Sequence, residues 1–372
     1  MQYKELLIGH TINGQKVNIP IYEFKSSRPG PKVYIQSGVH GAEIQGHLVI
    51  EKLIEWLKNN DFHGTWTLVP FANPFSVSNY QGEFTQGRFD PISGHNWNRD
   101  YHLLTTKDKE TDFAINIETF CQQRANLAID DLKSEFNKAL HEKLIAKEKH
   151  HSLYGQRLGQ TLTLKLQKLF FDADIVIDLH TAHHSDRYLY APSFTENEAS
   201  FFNFPFILFI PHHFATACDE AAFVPRFELN QYLKSQNSPP LPYVSAFTLE
   251  LGNQETIDSS KALQDRDGIL NYLYFKKAHP NALSLKNHKS IKGTLENFKL
   301  YHTLYSGLVE FIANPGDILE KGDLLYKQLI KTGQDFTWRD FIANEKCYIV
   351  SKANSSNARM GSQIYQVIEN FK

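Results

Sequence analysis

The chain is predicted to be an α/β protein, with a mixed central sheet flanked by helices and a smaller C-terminal β domain. Three observations carry this. Strand-length apolar runs such as "PKVYIQSG", "DADIVIDLH" and "PYVSAFTLELG" are interspersed with stretches of helical periodicity. Their apolar continuity suits central strands covered on both faces. Beyond about residue 288 helical periodicity fades and turn signals multiply.

In chain order, "LLIGHTI" and "KVNIPIYEF" read as a hairpin, with Asn13-Gly14 supplying a two-residue turn. The strand "PKVYIQSG" leads into a helix expected over Ala42 to Leu57, with apolar residues at Ile44, Leu48, Leu53 and Leu57. A further strand, "GTWTLVPFANP", completes a strand, helix, strand unit. From about 107 to 169 long, charged, helix-favouring sequence forms an insertion. Strands then return in "DADIVIDLH", "FPFILFIP" and "PYVSAFTLELG". The segment "SGLVEFIANPGDILEKGDLLYKQLI" places Asn314-Pro315-Gly316-Asp317 and Gly322-Asp323 between short apolar strands. This divides the chain into an α/β domain over 1–287 and a β domain over 288–372.

Composition narrows the partners. A length of 372 residues, 41% of them hydrophobic, is enough for two domains with real cores, and disorder is not expected. A net charge of −2 offers no global attraction to nucleic acid or to an anionic membrane. The N-terminus lacks the apolar core of a signal peptide, and "FPFILFIP" is too short to span a bilayer. A cytoplasmic protein is expected, with neither nucleic acid nor membrane as partner. Cys121, Cys218 and Cys347 are widely spaced, without a C-x-x-C pair, and read as reduced buried thiols.

The chemistry gathers at strand ends. In open α/β sheets functional groups collect at the carboxyl ends of strands, and "QSGVHGAE" places His40 and Glu43 at such an end. His180 ends the apolar strand Ile175 to Leu179 and offers a third ligand. Two histidines and a glutamate, with a fourth position left for water, are an arrangement of catalytic zinc, and the absence of thiolates argues against a closed structural site. Glu250, in "FTLELGN", ends another strand and is the candidate general base for a metal-activated water. Arg88 can steady an oxyanion, and Asn98 with Arg99 can grip a substrate carboxylate. Asp178 is either the partner of His180 or turned to the other face; His183 and His184 read as pocket or surface residues rather than ligands.

Taken in order, His40-x-x-Glu43, Asn73-Pro74, Arg88, Asn98-Arg99, Asp178-Leu179-His180 and Glu250 in "LELG" resemble the zinc carboxypeptidase superfamily, and within it the succinylglutamate desuccinylase and aspartoacylase branch. The resemblance spans about residues 1 to 330. It implies one zinc per chain on His40, Glu43 and His180, Arg88 near the polarised carbonyl, Asn98 and Arg99 on a substrate carboxylate, and Glu250 as general base. It implies a hydrolase cleaving the amide bond of a small N-acyl amino acid. The chain departs from the pattern at Asn96, where aspartoacylase-like sequences often have Asp two residues before the Asn-Arg pair. The C-terminal segment resembles the hairpin half of a biotinyl or lipoyl domain, a barrel-sandwich hybrid, without a lysine in the modification context. It is expected to cover the mouth of the site or to form a contact between copies.

Two other readings stay open. A carboxypeptidase would use Asn98 and Arg99 on a peptide C-terminus, and a non-catalytic zinc- or ligand-binding module would need no base at Glu250. The ligand set accepts several divalent ions.

Overall fold

A computed structural model describes residues 1–105, 111–283 and 289–371. Nine strands form one mixed sheet in the spatial order Gln2–His10, Lys16–Lys25, Thr65–Val69, Lys32–Ser37, Ile175–Ala182, Ser245–Asn253, Tyr188–Pro192, Phe206–Ile210 and Ile291–Thr294. The central four, from Thr65–Val69 to Ser245–Asn253, run parallel. Antiparallel strands lie on both sides of them.

The two-residue side-chain period of the central strands sorts their residues between two layers. Ile177, Leu179, Phe247 and Leu249 pack under the helices Gln45–Asn59 and Ser259–Phe275. Val176 and Ala246 face the helices Leu158–Phe170 and Cys218–Ser235 instead. Each such fully buried Ile or Leu stabilises the fold by about 1.5–3 kcal/mol. The same alternation puts Asp178, His180, Thr248 and Glu250 on the second face, where the strands end and the apolar packing gives out.

The helices Ile117–Gln122 and Ile129–Tyr154 follow the charged sequence expected to form an insertion, whose start near 107 lies outside the described residues. Leu132, Phe136, Leu140 and Leu144 pack them onto Leu229 and Leu233 of the helix Cys218–Ser235. The domain boundary at 287/288 likewise lies outside the described residues. Past it, Ile291–Thr294 still pairs with Phe206–Ile210 in the large sheet, and two small antiparallel sheets follow. His184 and Ser185 pair with Lys352 and Ser351, tying the C-terminal sheets to the loop after His180. Among the described residues no helix is long and apolar enough to cross a membrane.

Several local expectations are corrected. The first hairpin has no two-residue turn: the Thr11 carbonyl accepts the Gly14 N–H, and of the Asn13-Gly14 pair only Gly14 is left-handed (φ 84°), so the loop is a wider glycine-terminated turn. The helix expected from Ala42 begins at Gln45, because the Glu43 N–H is spent on the His40 carbonyl in a preceding turn. Its core face is Val49, Ile50, Leu53 and Leu57, while Ile44 and Leu48 are only half-buried. The strand Tyr188–Pro192 was not expected. It is short, preceded by Asp186-Arg187 and closed by a proline, and its place comes from pairing on both sides rather than from its own pattern.

Candidate active site

The loop that carries His40 and Glu43 is built from below. Asn73 is fully buried; its side-chain oxygen accepts the N–H groups of Phe75 and Ser76, and its amide donates to the Val39 carbonyl at 2.9 Å. The Asn73-Pro74 turn therefore holds the backbone next to His40. Gly41 permits this contact, since a Cβ there would lie 2.2 Å from the Ser76 carbonyl oxygen. Replacing Asn73 by alanine removes a helix cap and orphans a buried carbonyl. We expect a loss of about 2–4 kcal/mol in urea unfolding, and an unchanged midpoint would exclude this supporting role.

The structure brings the three expected ligands together. His40, Glu43 and His180 are each at most 3% exposed, and one ligand atom from each lies within 4.8 Å of the others. The two Glu43 oxygens face the two imidazoles, with His40 Nδ1 at 2.9 Å and His180 Nδ1 at 2.7 Å. The far nitrogens are held from behind. His40 Nε2 is 2.9 Å from Asn96 Oδ1, and His180 Nε2 is 2.8 Å from Asp178 Oδ2. Gln36 donates to the other oxygen of Asp178. Asp178 thus lies on the face of His180 and is its partner, which leaves Nδ1 of each ring directed at one point. Outer partners that fix the ring and its tautomer are what a metal-binding histidine requires.

The electrostatics call for a cation at that point. Burial works against charge on His180, but the carboxylates of Asp178 and Glu43 outweigh it and hold the imidazole well above its ordinary pKa. Burial likewise opposes ionisation of Glu43, and His40 and His180 pull it well below the carboxylate range. His40 is lowered by burial, with Glu43 opposing. These opposed shifts mark a point where positive charge is stabilised, and the donor set of two nitrogens and a carboxylate fits zinc.

Glu250 stands beside His180 in register on the neighbouring parallel strand. Its Oε2 is buried and has no hydrogen-bond partner among the described residues. Burial and the nearby Glu43 carboxylate push it up to about 7. Arg88 arches over the ligands, half exposed, with Nη1 at 3.3 Å from Glu43. An inner cavity of about 100 Å³ is lined by His40, Arg88, Asn98, Arg99, His180 and Glu250, so of the expected metal, catalytic and substrate residues only Glu43 does not reach it. Glu43 faces an outer cleft of about 360 Å³, with His40, Arg88, Phe84, Phe89 and His183.

The Asn98-Arg99 pair divides its labour. Asn98 accepts the Cys218 N–H at 3.2 Å, and its amide nitrogen lies 3.2 Å from His180 Nε2, so its polar atoms are engaged inside the wall. Arg99 uses Nη1 on the Asn98 carbonyl at 2.7 Å, and its guanidinium faces the cavity. Three residues with polar side chains that line the cavity were not chosen from the sequence: Tyr190, Thr248 and Asp219. Arg187 and Arg226 are held by hydrogen bonds to Asp265 and to Asn137.

The succinylglutamate desuccinylase/aspartoacylase catalytic-domain family model matches residues 29–275. Over its whole length the chain is similar to a succinylglutamate desuccinylase/aspartoacylase structure from Shewanella frigidimarina, at 34% identity and TM-score 0.93, covering 98% of that chain. A protein of the same description from Shewanella amazonensis is 35% identical, with TM-score 0.92 and full coverage of both chains. The ectoine utilization protein EutE (DoeB) from Ruegeria pomeroyi, solved with product bound, shares the fold at 14% identity and TM-score 0.65, over 99% of this chain and 94% of that one. No curated protein sequence matches.

Proposed function

The chain belongs to the succinylglutamate desuccinylase/aspartoacylase family, and from that premise we propose that it is a zinc-dependent hydrolase cleaving the amide bond of a small N-acyl amino acid. The observation that carries the reading is the convergence of His40, Glu43 and His180 beside a buried carboxylate oxygen of Glu250 that has no hydrogen-bond partner among the described residues. A divalent ion on the three ligands would supply a Lewis acid that polarises the acyl carbonyl and acidifies water. Glu250 accepts the proton of the attacking water on Oε2 and delivers it to the leaving nitrogen as the C–N bond breaks. The products are the carboxylate of the acyl group and a free amino acid. In this reading Arg88 stabilises the charge that develops on the carbonyl oxygen, and Arg99 holds the substrate carboxylate. Asn98 acts as a positioning residue for His180. The three cysteines are free and buried, which suits the reducing cytoplasm.

Glu250 must be ionised to act as a base, so kcat/KM should rise with pH through its pKa. The value of about 7 includes repulsion from Glu43, which a bound cation offsets, so the acidic limb is expected at or below pH 7. A pH profile of the zinc-loaded protein checks this, and a rate independent of pH between 4.5 and 7.5 would contradict it.

The outer cleft gives the carboxypeptidase reading its support, because it leaves room beyond the scissile bond for a longer acyl group or a peptide. The inner cavity, at about 100 Å³, suits a single amino-acid residue in either case. The deciding experiment is hydrolysis of a panel of N-acetyl, N-succinyl and longer N-acyl amino acids beside short peptides. Cleavage of the acyl amino acids is the expected result. Release of C-terminal residues from peptides alone would replace the deacylase by a carboxypeptidase.

A further inference from the structure

We propose that Asp219 selects substrates whose amino-acid side chain ends in an ammonium group, an inference that rests on the deacylase reading above. Asp219 lines the inner cavity with Arg99, Thr248 and Ile210 and is only 4% exposed. One of its oxygens accepts the Thr248 hydroxyl at 3.1 Å and the other the Glu220 N–H at 2.9 Å. A carboxylate has about four acceptor sites, so about two remain. Burial, and after it repulsion from Glu220 and Asp178, raises it to about 6. Arg99 feels its field but is turned to the Asn98 carbonyl.

A structural role explains little of this. Asp219 lies in the first turn of the helix Cys218–Ser235, where the backbone favours an anion. That position is already served by Glu220, whose carboxylate accepts the N–H groups of Phe214, Ala215 and Ala217. A second, buried carboxylate without a cationic partner is costly unless something positive arrives. The place of Arg99 says what arrives. If it holds the substrate carboxylate, the side chain of that same residue shares the inner cavity with Asp219. An ammonium group there completes an ion pair, an apolar group leaves the carboxylate desolvated and unpaired, and an acidic side chain adds a second anion.

The test compares Nα-acetylornithine with its neutral isostere Nα-acetylnorleucine and with Nα-acetylglutamate, using zinc-loaded wild type and D219N. Wild type should prefer the ornithine substrate over norleucine by about 10²-fold in kcat/KM, and D219N should bring that ratio to within a few-fold of one. Calorimetric binding of free ornithine and norleucine is the second readout: ornithine should bind wild type at least tenfold more tightly, and D219N should lose the difference. Hydrolysis of no acyl amino acid would overturn the deacylase reading, while the binding comparison would still decide the role of Asp219. Equal binding of ornithine and norleucine by wild type, a preference for glutamate, or an ornithine preference intact in D219N would overturn the proposal. The wild-type comparison stands even if D219N fails to fold.

Discussion

Replacing His180 by alanine should leave the protein unable to retain zinc through dialysis, with turnover falling to the level of the metal-free protein. Only two of the three buried ligands would remain, His40 and Glu43, and two donors hold a divalent ion poorly. A second effect follows from the charges. The His180 imidazole lies between Glu43 Oε2 and Asp178 Oδ2, at 2.7 and 2.8 Å. Without it, two carboxylates buried in the same wall lose the cation between them. Breaking a buried pair in this way costs about 3–5 kcal/mol, so the metal-free variant should also unfold at lower urea than metal-free wild type. Metal analysis and urea titration read the two effects separately. Retention of a full equivalent of zinc by the variant would remove His180 from the ligand set.

Glu250→Gln should abolish measurable turnover while leaving zinc content unchanged. Loss of a positioned general base costs about 10²–10⁴-fold, and among the described residues Glu250 makes no hydrogen bond to the three ligands. The variant should also be more stable than wild type without metal. Glu250 is pushed up to about 7 in the fold from an ordinary 4.5. Its raised folded pKa means that the native state binds the proton more tightly than the unfolded chain, so metal-free wild type loses stability as pH rises from about 4.5 to 7. Glutamine removes that pH dependence along with the repulsion from Glu43. Lower activity with higher stability is the signature of a residue kept for chemistry. Near wild-type turnover in the variant would end its assignment as base.

The residues that could be read from the sequence are those whose type and place in the α/β pattern coincide. His40, Glu43, His180 and Glu250 each close an apolar strand or the turn after it, and in such a sheet the strand ends converge. The sheet itself was legible at its centre, where continuous apolar runs mark strands buried on both faces, but not at Tyr188–Pro192, whose pairing partners are distant in sequence. Supporting and specificity residues were hidden for the same reason. Asn96 looked like a departure from a family pattern until it was found behind His40. Asp178 had two possible orientations, and its contact with His180 Nε2 at 2.8 Å decides between them. Asp219 reads as an ordinary acidic residue in the first turn of a helix, and only the fold carries it 29 residues across the chain to Thr248 and into the cavity.

The most direct test is to strip the protein of metal with a chelator and follow hydrolysis of an N-acyl amino acid as zinc is returned. Activity should be absent at the start, rise in proportion to added zinc, and level off at one equivalent per chain. Full activity in the stripped protein, or none at any zinc concentration across the acyl amino acid panel, would contradict the account.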